Sequence, residues 1–355
     1  MFSPFACRAM GPSLPWASAA QPPSETESAL PEFSSRFLLV LGCALTAILS
    51  SAASAQPVLP PGALQQFQEA VGNRIEAVSI LGGDYSAAGG IYTFRGGSLA
   101  DLSISKIGGG GEVASPKPLG LGSVQWAPVL QGNVGMVSAA NTFRTGYLAG
   151  NQMKYDTLAL ELGAGAAFYL TDDLSLAPTL SGIYGRVENS FSPQNANGDY
   201  IKAVGSGTVV DWTMDTWSLV PALELDYQWL WDRATFEFSS GYSFFHTESF
   251  QSSSPILGVN GDSSTWANKL DVDLPLGLAL FGREFHVGGF FSRTEIFGNA
   301  ARGLNTGYVY TANGRLVLDF LGQLWKLKWL GLGVSYFWGH DFSGWSAGVD
   351  LQFKF

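Results

Sequence analysis

The end of the chain, Trp345-Ser-Ala-Gly-Val-Asp-Leu-Gln-Phe-Lys-Phe355, separates into two sets of residues. Odd positions carry Trp345, Ala347, Val349, Leu351, Phe353 and Phe355; even positions carry Ser346, Gly348, Asp350, Gln352 and Lys354. A repeat of two is the side-chain period of a β-strand with one apolar and one polar face. The repeat recurs upstream in segments longer than the roughly 3–10 residues of ordinary strands. Trp217, Leu219, Pro221, Leu223, Leu225, Tyr227, Trp229 and Trp231 share one face, and Ser218, Glu224, Asp226 and Gln228 the other. Leu270, Val272, Leu274, Leu276, Leu278 and Leu280 likewise oppose Lys269, Asp271 and Asp273. The segments around Leu158–Leu170 and Leu330–Trp338 follow the same rule. Such a chain is all-β, either a soluble sandwich or a closed barrel in a membrane.

Composition narrows that choice. Charged residues make up 14% of the chain, against about 25% in an ordinary soluble domain. The body of the chain holds no uncharged apolar stretch of about 18 residues, so helical membrane spans are not expected. A hydrophobic content of 46% excludes disorder, and a net charge of −10 argues against nucleic acid as a partner. Three features then favour the membrane. Tight turns at Thr171-Asp172-Asp173, Trp231-Asp232-Arg233 and Gly282-Arg283-Glu284 alternate with longer loops rich in Ser, Asn and Gly. Aromatic residues gather at strand ends, as membrane interfaces demand. Glycine recurs on the polar face, where strands bend and a lumen crowds. The expected fold is an antiparallel up-and-down transmembrane β-barrel.

Nine strands are well marked, near 155–170, 174–191, 211–231, 233–250, 264–280, 284–298, 307–320, 328–340 and 343–355. Four weaker ones lie near 87–95, 99–106, 122–130 and 134–144. Because single-chain bacterial barrels have even strand numbers, the total is twelve, if one weak pair is a single strand, or fourteen, if 76–82 adds another. Ahead of them Leu64, Phe67, Val71, Ile75 and Val78 recur at helical spacing, which predicts a helix over 62–76 that either caps the periplasmic end or lodges in the lumen.

The N-terminus reads as an address. Phe37–Leu49 is one apolar run after Arg36, and Ala53-Ser54-Ala55 supplies a small-x-small cleavage pattern with Gln56 as first mature residue. The organisation expected is a leader over 1–55, linker and helix over 56–78, and barrel over 79–355. Cys7 and Cys43 both fall in the leader, so no disulfide holds the mature chain.

The aromatic and aliphatic alternation Trp345, Val349, Leu351, Phe353, Phe355 resembles the C-terminal signal by which outer-membrane barrels are recognised for insertion. It implies the barrel-assembly machinery as a partner. With the leader, the amphipathic helix and a glycine-rich first strand (Ile80-Leu-Gly-Gly-Asp-Tyr85 into Ala88-Gly-Gly-Ile-Tyr-Thr-Phe94), the chain is similar to the solitary, passenger-less autotransporter-like barrels. The resemblance covers about residues 62–355. It implies twelve strands in the bacterial outer membrane, with a helix in or near the pore. Only about five residues separate the cleavage site from the helix region, which speaks against export of a cargo domain.

Candidate chemistry is sparse. His246, with Glu248 and Ser249, is the one grouping that resembles a hydrolase site. However, His246 shares the lipid-facing parity of Phe236, Phe238, Tyr242 and Phe244, whereas Ser249 has the opposite parity. His340 stands beside Asp341 in an outer turn, and His286 faces the lumen alone. Scattered histidines without cysteine make a metal site or cofactor unexpected, and Gly108-Gly-Gly-Gly111 lacks the lysine of a phosphate loop. The lumen is more informative. By parity Glu161, Glu224, Asp226, Glu237, Asp271, Asp273, Asp319 and Asp350 point inward, joined by Arg233, Lys269, Arg315 and Lys354. The excess of acids predicts a negative interior in which charges pair across strands or favour cations, with Arg74 on the helix as a partner for them.

Four functions compete: a non-enzymatic pore or surface structural element, an uptake channel for a small solute or cation, an adhesin using loops near 192–207 and 251–263, and a barrel enzyme. The first is favoured, as a monomer embedded in outer-membrane lipid.

Overall fold

The computed structural model describes residues 63–83, 90–95, 102–112, 117–118, 124–142, 149–280, 283–324, 327–340 and 343–353. Alternation becomes ladder along nearly the whole of this length. The strands are β1 (Gly90–Arg95), β2 (Leu102–Glu112), β3 (Lys117–Pro118), β4 (Gln125–Thr142), β5 (Gln152–Tyr169), β6 (Leu174–Ser192) and β7 (Thr213–Trp231). They continue as β8 (Ala234–Ser252), β9 (Asn260–Leu280), β10 (Arg283–Gly298), β11 (Tyr308–Leu324), β12 (Leu327–Trp338) and β13 (Ser343–Phe353). Three helices, α1 (Ala63–Gly83), α2 (Ala196–Gly205) and α3 (Asn299–Leu304), complete the described chain.

All strand pairs are antiparallel, and from β4 to β13 each strand pairs with the next. β1 pairs with both β13 and β2, and β2 pairs with β4, so the circuit of neighbours closes. The short β3 continues the line of β2 along β4, with Glu112 opposite Val129 and Lys117 opposite Trp126. The ring therefore has twelve strands. The two weak segments 122–130 and 134–144 are one strand, because Gln131-Gly132-Asn133, which reads as a turn, is held in register on both sides by β2 and β5. The stretch 76–82 is helical and adds no fourteenth strand.

Burial identifies what surrounds the ring. Inward Glu161 is 2% exposed while its outward neighbour Leu162 is 66% exposed. Thr157, Ser218, Ser239, Ser263 and Ser346 are buried, whereas Leu158, Leu160, Leu278, Leu316 and Leu332 lie open. A soluble sandwich buries its apolar face; here the polar face is the buried one, as in a barrel whose belt meets lipid. Aromatic stacks stand on the outside at both ends: Tyr227, Trp229 and Phe236 near the tight turns, and Phe291, Tyr310, Tyr336 and Trp338 toward the long loops. These are the two interfacial girdles. Among the described residues no helix is long and apolar enough to cross a membrane. Short turns mark the periplasmic end of such barrels and long loops the outer end.

Helix α1 runs inside the ring, in the long-loop half. Val71, Ile75 and Val78 pack against Val137 and Ala139 of β4, Met153 and Tyr155 of β5, Val187 and Phe191 of β6, and Trp212 and Val210 of the loop that follows. Ala77 and Ile80 pack with Ala159, Ile183, Val220, Phe245, Ile296 and Ala300. The periplasmic cap is thus corrected to a lumenal seat. The helix also extends past 76 to Gly83, so Ile80–Gly83, expected in the first strand, form its last turn. Surrounded by strands on several sides, this segment buries apolar groups most cheaply as a helix, which satisfies its own backbone. A tight approach lies at Gly303 of α3, where an added Cβ would stand 2.2 Å from the Asn73 carbonyl oxygen. Only glycine lets the two helices meet there.

Candidate functional site

The lumen has two halves with different chemistry. In the long-loop half the plug carries two buried charges. Arg74 is buried and meets the Tyr155 phenol. The Glu76 carboxylate accepts hydrogen bonds from Ser263 Oγ and, at 3.0 Å, from Asn299 Nδ2. Ser263 Oγ in turn accepts from the Ala300 amide at 2.9 Å, and Gln68 Nε2 donates to the Ile256 carbonyl at 2.5 Å. Helix, strand β9, helix α3 and the β8–β9 loop are therefore tied together by side chains of α1.

Burial pushes the Glu76 carboxyl above its ordinary range, and nearby Asp262 adds to this; Ser263, Asn299 and Arg302 pull the other way but do not win. α1 does not itself cross the membrane. Because the docked carboxyl holds its proton more tightly than the free one, this group favours docking most at or below the ordinary carboxylate range, about pH 4. Its contribution is lost as pH rises through the raised value. Protease nicking of α1 is expected to increase from about pH 4 to about pH 8. Glu76→Gln should flatten that dependence; an unchanged profile in the variant would disprove the assignment.

The short-turn half holds the charged wall. Asp271 on β9 and Arg315 on β11 form a two-pronged ion pair, with Nη1–Oδ2 at 2.8 Å and Nη2–Oδ1 at 2.7 Å. Arg315 reaches across β10 at Gly288, where a Cβ would stand 3.1 Å from its Nε. His286 is not alone, for its Nδ1 lies 2.6 Å from Asp273 Oδ2. Asp226 interacts with Glu224, Glu237 and Lys269. Glu161 accepts from Gln131 Nε2 at 3.2 Å, and the same nitrogen donates to Ser181 Oγ at 2.5 Å.

Other expected residues fall elsewhere. Arg233 sits in the exposed two-residue turn after β7, where Asp232 takes a left-handed φ of 56°, and it does not line the wall. Trp345 is outward and exposed, as its parity predicts. Val349, Asp350, Leu351 and Phe353 lie on β13 and Asp319 on β11, but their side chains fall outside the described residues. Ala53, Ala55, Gln56, Asp341, Lys354 and Phe355 fall outside them entirely, as do the leader and both cysteines.

The hydrolase grouping does not assemble. His246 stands on the outer face, with Nδ1 2.8 Å from Asp262 Oδ1, Nε2 3.2 Å from Glu248 Oε1, and its ring edge-on to Trp217. Ser249 is on the other side of the sheet, its Oγ bonded to the backbone of Val259. Nucleophile and base do not meet. No group of three or more His, Cys, Asp or Glu among the described residues is placed to hold a metal ion. Sequence reasoning missed Glu76, Ser263 and Asn299; the readable signal was an acid between Ile75 and Ala77 within an apolar helix turn.

A closed antiparallel ring with a lipid-facing belt, two aromatic girdles and a polar interior is an integral outer-membrane β-barrel. More particularly, the chain belongs to the solitary outer membrane autotransporter beta-barrel domain family, whose model matches residues 119–349. That places it in the bacterial outer membrane. Among solved structures it is similar to the β-domain of the Bordetella autotransporter BrkA (16% identity, 76% of this chain, 100% of that one, TM-score 0.46). It is also similar to the translocator domain of the autotransporter NalP from Neisseria meningitidis (13%, 88% and 99%, TM-score 0.45) and, further off, to the KdgM porin complexed with disordered oligogalacturonate (10%, 75% and 99%, TM-score 0.34). No curated protein matches it. With each of these TM-scores below 0.5, the fold rests on the strand pairing and the family on its own match.

Proposed function

We propose that this barrel is a non-enzymatic surface structural element, sealed by its own N-terminal helix and carrying a negative vestibule on its periplasmic side. The observation that carries this reading is the seat of α1. Val71, Ile75 and Val78 are packed into the wall, and Arg74, Glu76 and Ser79 are buried with them. A transient gate would leave its charged groups in water, because burying them costs free energy unless each finds a partner. The separation of Ser249 from His246 supports the non-enzymatic part. A cation-preferring uptake channel is the second reading, favoured by the carboxylates Glu224, Asp226 and Glu237 of the short-turn half.

Protein purified from outer membranes and placed in planar bilayers is expected to leave the current at baseline. Steady, cation-selective current through the intact chain would overturn the sealed reading in favour of the channel.

A further inference from the structure

Away from the plug, three inward residues line up across adjacent strands. Asp226 of β7 is the Cα partner of Ser239 of β8, and Ser239 is the partner of Lys269 of β9. Glu237 flanks this row on the same face, opposite Gln228 and Asp271. Glu224 flanks it on the other side, leaning over Gly241, where its Cγ stands 3.9 Å from the position of an added Cβ. The neighbouring acids have close partners of their own, Asp271 in Arg315 and Asp273 in His286. Asp226 feels the like charges of Glu224 and Glu237 together with the one opposite charge of Lys269. Beneath them Ser239 is 4% exposed, and its Oγ meets neither solvent nor any hydrogen-bond partner. A buried hydroxyl without a partner is rare in a folded chain and calls for an explanation.

We propose that Asp226, Glu237 and Ser239 form a binding site for an organic cation, an ammonium or guanidinium group entering from the periplasmic side. This rests on the negative vestibule proposed above and names its ligand class. The carboxylates supply charge and directional acceptors, and the serine hydroxyl turns about χ1 to add a third. A bare metal ion fits less well, because the described acids and imidazoles are not clustered as a metal shell requires. A guanidinium or alkylammonium spreads its N–H donors over a wider set of oxygens and is less strongly hydrated than a small divalent ion. The site is reachable: Glu224, Asp226, Glu237 and Lys269 are all half-buried, and on β7 the core around the plug reaches only to Val220.

Agmatine, which carries both cationic groups, is the probe. Calorimetric titration into the purified protein should show saturable binding, weakened at least ~tenfold by Asp226→Asn and by Glu237→Gln. Ser239→Val should weaken it while leaving the folded band on unheated gels unchanged, and magnesium chloride at equal ionic strength should compete no better than sodium chloride. Absent saturation, affinity indifferent to Asp226→Asn, or displacement by magnesium ahead of sodium would each overturn the site. The two readings separate cleanly. Agmatine binding lost in Asp226→Asn, in a protein that conducts, sinks the seal and keeps the site; silence without binding does the reverse.

Discussion

Deleting Ala63–Gly83 is expected to turn a silent barrel into one that passes ions in discrete steps. The ring does not depend on the helix for its hydrogen bonds: every ladder from β4 to β13, and the closure through β1 and β2, is strand to strand. The helix depends on the ring. Burying Val71, Ile75 and Val78 is worth about 5–9 kcal/mol in total at roughly 1.5–3 kcal/mol per side chain. Moving a two-state seat from almost always closed to almost always open takes about 5.5 kcal/mol, so the docked state dominates while those three remain. Removal of the helix leaves Val137, Met153, Val187 and Met214 lining a wet lumen, at some cost in stability that the closed ladder can bear. Gly303→Val is the graded version. Its Cβ must displace the Asn73 carbonyl or shift α3, so brief openings are expected from an otherwise folded barrel. A deletion variant that stays folded yet silent would show that α1 is not the seal.

The division of labour between strand faces was legible in sequence because alternation is enforced at every residue by the membrane outside and the lumen within. Glu161, Asp271, Asp273 and Arg315 point inward as their parity requires, and Leu162 and Trp345 point outward. Parity says nothing of partners. His286 pairs with Asp273 and Arg315 spans β10 to reach Asp271 because of inter-strand register and because Gly288 offers no side chain, and neither is written in local sequence. Arg233 followed a parity that ends at the turn. The helix failed differently. Its residues 77–83 carry glycine and aliphatic side chains acceptable to a strand, and only enclosure by the ring decides for a helix. The twelve-strand count turned on Gly132, a residue with the look of a turn that two neighbouring strands hold straight.

Replacing Arg315 by methionine is expected to be among the most damaging single changes in the wall. Arg315 and Asp271 have side chains 14% and 13% exposed, and their two-pronged contact lies deep in the lumen. Removing one partner of a buried ion pair costs about 3–5 kcal/mol because the other charge is left uncompensated. Here the orphaned Asp271 would also face Glu237, its cross-strand partner on β8, and like charges directly opposite destabilise a sheet. Lysine should rescue only part of the loss, since an ammonium cannot reproduce the planar fork that meets both carboxylate oxygens. Replacing the pair together, Arg315→Met with Asp271→Leu, should recover most of the stability, because an apolar pair of similar volume needs no compensation. Urea titrations of vesicle-embedded protein, followed by tryptophan fluorescence, measure these three variants and the parent on one scale. A single substitution costing under ~1 kcal/mol, the value of an exposed pair, would mean that water reaches the contact freely. The Asp271–Arg315 pair would then be bathed by the water of the vestibule rather than stiffen its wall.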